Sequence, residues 1–268
     1  MKYFYLLITS ILFIYLILLT LIYLNQRKLL YLPGENNYLD DPIKFNYEEH
    51  FIKVDDGIEI KSWFIKKDIK KYKTLLFFHG NAGNLFNRSY KLNELSKLNL
   101  NILIISWRGF SGNSGEPSEK NLYEDSKKAV DWLNEKGIQS KDIVLYGESL
   151  GTGVAVELGQ SNKYAGIILE APYTSIESAA KIYYPYLPIK FLLKDKFYSD
   201  KKISSISIPV LVMHGKKDEI IPFYMGHKIF KEANKPKFSY FVDDDNHMMS
   251  FNEKLVNQIE KFLNFVDS

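Results

Sequence analysis

The chain has no cysteine among its 268 residues. Disulfides, thiolate metal sites and cysteine nucleophiles are therefore excluded, while the compartment stays open. No His-x-x-x-His or comparable carboxylate spacing occurs, so no metal site is expected. Internal repeats and low-complexity segments are missing outside the N-terminal run. A basic excess is missing too. The formal charge of +3 comes from Lys2, Arg27 and Lys28, the only charges in residues 1–28. Removing those three from the 35 basic residues leaves 32, equal to the 32 acidic ones. The basicity is thus a membrane-flank signal, and nothing points to a nucleic-acid partner. With 46% hydrophobic and 25% charged residues the composition is that of a globular protein rather than a disordered one.

One long apolar run is present. From Tyr3 to Leu24, about 22 residues carry no charge, enough to span roughly 30 Å of hydrocarbon as a helix. Tyr3, Tyr5 and Tyr23 sit near its ends as interfacial aromatics do. A cleaved signal peptide would have a shorter apolar core and an Ala-x-Ala-like site, which is lacking. The expectation is a retained single-pass membrane anchor over residues 1–28. Lys2 and the amino terminus nearly balance Arg27, Lys28 and the more distant Lys44, so flanking charge leaves the side of the remaining chain open. Residues 29–48 read as a stalk or linker, with turn signals at Pro33-Gly34, Asn36-Asn37 and Asp41-Pro42. Its Leu29, Leu30, Tyr31 and Leu32 are expected to lie on the membrane surface or on the domain.

Residues 49–268 read as one α/β domain. His50–Val54 and Ile58–Ile65 look like strands joined through Asp55-Asp56-Gly57, a hairpin turn. Short apolar runs follow at Thr74–Phe78, Ile102–Ser106, Ile143–Tyr146, Gly166–Leu169, Val210–Met213 and Phe238–Val242. Helical patterns lie between most of them, at Phe86–Leu98, Asn121–Lys136, Leu150–Gly159 and Phe223–Ala233, with a last one at Ser250–Val266. Such alternation predicts a mostly parallel sheet of about eight strands with helices on both faces. In that architecture the site lies beyond the carboxyl ends of the strands. The interval 173–207, rich in Tyr and Phe, holds about one helix too many. It is either a small cap over the site or a longer connection packed on the sheet.

Gly147-Glu148-Ser149-Leu150-Gly151 sits between an apolar strand and a helix of small residues, the setting of a nucleophile elbow. Gly-x-Ser-x-Gly alone arises by chance in roughly one such chain in ten, so partners at other strand ends must decide. Asp218 follows the Val210–Met213 strand and His247 follows the Phe238–Val242 strand. The order Ser, Asp, His is that expected for this architecture. His247 would take the proton of the Ser149 hydroxyl and return it to the leaving group, and Asp218 would orient the imidazole. Glu170, after its own strand, is the rival acid. His79 and His214 each precede a glycine at a strand end and are expected to hold turns. An oxyanion hole needs two backbone N–H donors. Leu150 supplies one by position, and Asn81, in the loop after Thr74–Phe78, is the best choice for the other.

His79-Gly80-Asn81-Ala82-Gly83-Asn84, Trp107-Arg108-Gly109-Phe110-Ser111-Gly112-Asn113-Ser114-Gly115-Glu116-Pro117-Ser118, Gly147–Gly151 and His214-Gly215-x-x-Asp218-Glu219-x-x-Pro222 resemble the landmarks of α/β-hydrolases. More narrowly they are similar to a membrane-anchored branch of bud-emergence-type hydrolases, depalmitoylase-like α/β-hydrolase-domain proteins and bacterial serine aminopeptidase-like hydrolases. The resemblance runs over nearly the whole chain, including Gln26–Pro33. It implies that Ser149, Asp218 and His247 form a triad and that the Arg108–Ser118 loop is structural, bordering the site. Many relatives follow the histidine with Asn-Asp, whereas here it is followed by Met248-Met249. The expectation is a membrane-anchored serine hydrolase that cleaves an ester, thioester or amide through an acyl-enzyme, with no cofactor. The apolar Tyr173–Tyr198 interval favours a small-molecule or acylated, lipid-like substrate. The alternatives are an aminopeptidase-like peptidase of the same fold and a non-catalytic tethered scaffold.

Overall fold

The computed structural model describes residues 1–34, 42–55 and 57–268. Its strands are β1 (Glu48–Asp55), β2 (Ile58–Ile65), β3 (Thr74–Phe78), β4 (Asn101–Ile105), β5 (Ile143–Glu148), β6 (Gly166–Glu170), β7 (Val210–Gly215) and β8 (Lys237–Val242). They form one sheet in the order β1-β2-β4-β3-β5-β6-β7-β8. The β1–β2 hairpin and the β2–β4 pair are antiparallel, and every other pair is parallel. This is the mostly parallel sheet expected from the alternation. Asp56, in the predicted hairpin turn, and residues 35–41 of the predicted stalk lie outside the described residues.

The helices are α1 (Lys2–Leu30), α2 (Ser89–Leu95), α3 (Glu119–Glu135), α4 (Leu150–Gly159), α5 (Ile176–Tyr183), α6 (Ile189–Leu192), α7 (Phe223–Glu232) and α8 (Glu253–Asp267). Strand alternation divides the core between the two faces of the sheet. In β3, Leu76 and Phe78 join one buried cluster while Leu75 and Phe77 join the other. Ile143 and Leu145 of β5 pair with the first set, Val144 and Tyr146 with the second. A strand buried on both faces reads as a continuous apolar run for this reason.

The helix predicted over 86–98 is shorter. Phe86–Arg88 forms a 3₁₀ turn and α2 begins at Ser89. Arg88 departs from helical geometry (φ −107°, ψ 3°), and its side chain is buried in an ion cluster described below.

Helix α1 is long and apolar enough to cross a membrane. Its last turn is nonetheless attached to the domain rather than separate from the fold. Gln26 Nε2 donates to Leu192 O at 2.9 Å, and Lys194 N donates to Gln26 Oε1 at 2.7 Å. Arg27 Nε donates to Asp195 Oδ2 at 2.8 Å. Beyond the helix Tyr31 is buried in the core. Leu32 forms a parallel bridge to Ala82, with Leu32 N donating to Asn81 O at 2.9 Å and Gly83 N donating to Leu32 O at 3.1 Å.

Candidate active site

Four parallel strands end at the same edge, and each contributes one predicted site residue from the loop after it. Asn81 follows β3, Ser149 follows β5, Asp218 follows β7 and His247 follows β8. Ser149 links β5 directly to α4, at φ 49° and ψ −113°. Few non-glycine residues adopt positive φ, and the strain persists only where the surroundings over-determine it. Here the chain turns so tightly that a Cβ on Gly147 would lie 2.5 Å from Gly151 O, and one on Gly151 would lie 2.0 Å from Phe78 O. Both motif glycines are therefore required by close approach of backbone. Ser149 N donates to Glu170 O at 2.9 Å, while Thr152 N and Oγ1 donate to Ser149 O at 2.9 and 2.6 Å. The serine backbone is held from both sides.

Ser149 Oγ lies 3.0 Å from His247 Nε2, and His247 Nδ1 lies 2.7 Å from Asp218 Oδ2. Asp218 Oδ1 accepts the Ile220 and Ile221 amides at 2.8 and 2.7 Å. Oδ2 also sits 3.0 Å from His214 Nε2, which in turn lies 2.9 Å from Ile221 O. Burial by itself would raise the Asp218 pKa. The hydrogen bonds from His214 and His247, with the Ile221 amide, outweigh it and hold the carboxyl well below its usual range. The acid is thus charged and aimed at the imidazole. Glu170, the rival acid, does not approach His247. It is fully buried between Lys91 and Tyr146.

The His247 turn is pinned against β7. Lys217 N donates to Asp245 O at 2.9 Å, and Asp245 Oδ2 and Oδ1 accept Ser250 N and Oγ, both at 2.8 Å. Met249, at φ 35°, buries its side chain in the core. An apolar residue two places after the histidine thus serves as a packing anchor here. His79 is buried with Nδ1 2.7 Å from Gly80 O. Burial, reinforced by nearby Arg88, lowers its pKa to about 3, so it stays neutral. The Arg108–Ser118 loop is tied to α3 by the buried pair of Arg108 with Asp125, and Trp107 Nε1 donates to His79 O at 3.1 Å.

Asn81, Ser149 and Leu150 line a cavity of about 290 Å³. Its walls are otherwise almost wholly apolar and come from the end of α1, from α5, α6 and the segments beside them, and from Ile220 and Ile221 after Asp218. Among its described lining residues there is no Asp or Glu.

The prolyl oligopeptidase family profile matches residues 108–268, more than half of the chain. The chain belongs to that family, within the α/β-hydrolase superfamily. An uncharacterized protein of Mycobacterium tuberculosis (strain CDC 1551) is 31% identical over 232 residues, covering 85% of this chain and 83% of that one. The alpha/beta hydrolase domain-containing protein 17B of Homo sapiens is 33% identical over 199 residues, covering 73% and 67%. Among solved structures, the esterase Pf2001 of Pyrococcus furiosus superposes with a TM-score of 0.69 at 18% identity, covering 87% of this chain and 98% of that one, a likeness of fold.

Beneath the elbow this α/β-hydrolase carries a buried charge cluster that sequence reasoning missed. Glu148, beside the serine, accepts Arg88 Nη2 at 2.6 Å, Lys91 Nζ at 2.9 Å and the Gly80 amide at 3.2 Å. Lys91 also donates to Glu170 at 2.7 Å, and Arg88 Nη1 donates to Ala82 O at 2.6 Å. The cluster therefore ties the Ser149 turn to the loop bearing Asn81. Two cationic residues on α2 and its entry, where the helix packs on the sheet, were the available signal.

The cluster predicts an acid sensitivity. Burial would raise the Glu148 pKa, but the charges of Arg88 and Lys91 outweigh it and hold the carboxyl well below its usual range. A depressed folded pKa gives stability that is present above the unfolded value, about 4.3, and is lost as pH falls through the folded one. Below about pH 4.3 the stability of Glu148→Gln should therefore fall less steeply with pH than that of the wild type. Denaturant midpoints measured by tryptophan fluorescence across that range would test it, and equal slopes would refute it.

Proposed function

We propose that the protein is a membrane-anchored serine hydrolase that cleaves an ester, thioester or amide through an acyl-enzyme intermediate. The observation that carries this reading is the Ser149–His247–Asp218 chain of contacts at 3.0 and 2.7 Å, opening on an apolar cavity. In this mechanism His247 Nε2 takes the hydroxyl proton as Ser149 Oγ attacks the carbonyl carbon. The backbone N–H groups of Leu150 and Asn81 receive the oxyanion, helped by the α4 N-terminus. The imidazolium, stabilised by Asp218, then protonates the leaving group. Water attacks the acyl-enzyme by the same route and restores the serine. No cofactor enters any step.

The lining favours a neutral acyl group over a peptide bearing a free α-amino group, because no lining carboxylate is available to receive that charge. A retained anchor is supported by the contacts α1 makes within its apolar run, since cleavage after that run would discard the Tyr15 bond to Tyr186 O and the Ile22 part of the cavity wall. Residues 1–28 act as the anchor and 49–268 as the hydrolase domain, with 173–207 as its cap. Labelling of the full chain by a fluorophosphonate probe tests the reading. Covalent modification at Ser149, absent in Ser149→Ala, is the expected result. A folded wild type that does not label, or equal labelling of Ser149→Ala, overturns it.

A further inference from the structure

The wall of the cavity beside Ser149 is partly made of the membrane helix. Ile22, Gln26, Leu29 and Leu30 line it from α1, facing Ile176 and Ala180 of α5. Leu29, Tyr183, Tyr184 and Ile220 are exposed as well as lining, so they form its rim. The connection between α5 and α6 continues along α1 towards the middle of the apolar run, where Tyr15 Oη donates to Tyr186 O at 3.0 Å. That contact is about 22 Å along the helix axis from Leu30. Tyr186 is 91% exposed and Phe191 81% exposed, large side chains that the described residues leave largely uncovered. If α1 crosses the bilayer, these rings lie against the same lipid that surrounds it, as apolar surface of this size requires.

We infer that the last turns of α1 are the specificity-determining wall of the substrate site, and that the acyl chain enters from the bilayer between α1 and α5. The inference rests on the serine-hydrolase reading and on retention of the anchor. An acyl chain dissolved in the membrane would reach Ser149 without crossing water, since Leu29 on the rim and Ile22 in the wall both belong to α1. Ile22 then lies against the bound chain and Leu29 against the part that passes the rim. The polar contacts of Gln26 with Leu192 and Lys194, and of Arg27 with Asp195, fix the α1 wall relative to the cap. The Asn81 side chain, donating to Leu30 O at 2.8 Å, fixes it relative to the loop beside Ser149.

The test uses the full chain in phosphatidylcholine vesicles and a hexadecyl fluorophosphonate with a diazirine at the chain end. After reaction and irradiation, a crosslink from Ser149 to a peptide of α1 is expected. Labelling at Ser149 with crosslinks confined to other elements overturns the inference while the hydrolase reading stands. No labelling by this probe, but labelling by a short-chain one, does the same. No labelling by either overturns both. As a second measure, Ile22→Trp and, across the cavity, Ala180→Trp should each lower the ratio of kcat/KM for p-nitrophenyl palmitate to that for p-nitrophenyl acetate by about tenfold or more. Ratios within about twofold of wild type in both variants count against the wall.

Discussion

Ser149→Ala is expected to lower kcat for p-nitrophenyl acetate by about 10⁴- to 10⁶-fold, and His247→Ala by a similar factor. The hydroxyl is a weak nucleophile unless the imidazole 3.0 Å away removes its proton during attack. Loss of either partner therefore removes the same step. The double variant should be no worse than either single one, because residues that act as a unit are not additive. A small residual rate would come from the cavity and the Leu150 and Asn81 backbone N–H groups proposed to receive the oxyanion, which the substitutions leave in place. The fold should survive Ser149→Ala. The turn is held by the Ser149 N and O contacts to Glu170 and Thr152, which are made by backbone atoms of residue 149. A rate within tenfold of wild type for Ser149→Ala would show that the chemistry runs through another group. Additive losses in the double variant would show that serine and histidine act separately.

The parts of the fold that were legible in the sequence are those governed by local pattern. The continuous apolar run of β5, the glycines about Ser149 and the polar loops after β7 and β8 are each written within a few residues. Parallel topology then carries Asp218 and His247 to the edge where Ser149 stands, so chain order was enough to nominate them. The Lys91–Glu148 contact spans 57 residues, the Arg88–Glu148 contact 60 and the Arg27–Asp195 contact 168. Nothing in periodicity says which buried carboxylate a helix cation will meet. The end of α1 was hidden for a related reason. Its uncharged run reads as membrane helix whether or not its last turn also lines a cavity, and only the packed domain separates the two. The exchange of Asn-Asp for Met248-Met249 was visible, but its sense was not. Met249, and not Met248 before it, is the buried one, in a turn pinned by Asp245 to Ser250, with Met249 at φ 35°.

Lys91→Met should be the most damaging substitution away from Ser149, Asp218 and His247, costing about 3–5 kcal/mol at neutral pH. For a domain of this size that corresponds to a melting temperature lower by about 6–20 °C. Lys91 is fully buried and bridges Glu148 to Glu170. Methionine preserves much of the volume, and the rings of Tyr90 and Phe251 that flank the ammonium remain as apolar neighbours. What is lost is the charge. Arg88 can still face Glu148, but Glu170 keeps only Tyr146 and the repulsion of Glu148. Its carboxyl, already pushed up by burial, would lose the ammonium that opposes that push. A raised folded pKa contributes stability that is full below the unfolded value, about 4.3, and is lost as pH rises through the folded one. The gap between Lys91→Met and wild type should therefore narrow as pH is lowered towards about 5 and widen above it. Adding Glu170→Gln to Lys91→Met removes the unpaired carboxylate, and more than half of the lost stability should return. Thermal unfolding in detergent at several pH values measures all three quantities. A melting temperature for Lys91→Met within about 2 °C of wild type, or a gap that grows on acidification, would mean that the cluster is not held by this charge. The same experiment bears on activity, because the cluster joins the serine turn to the Asn81 loop. Lys91→Met should therefore label more slowly with a fluorophosphonate than wild type, and adding Glu170→Gln should restore labelling along with stability.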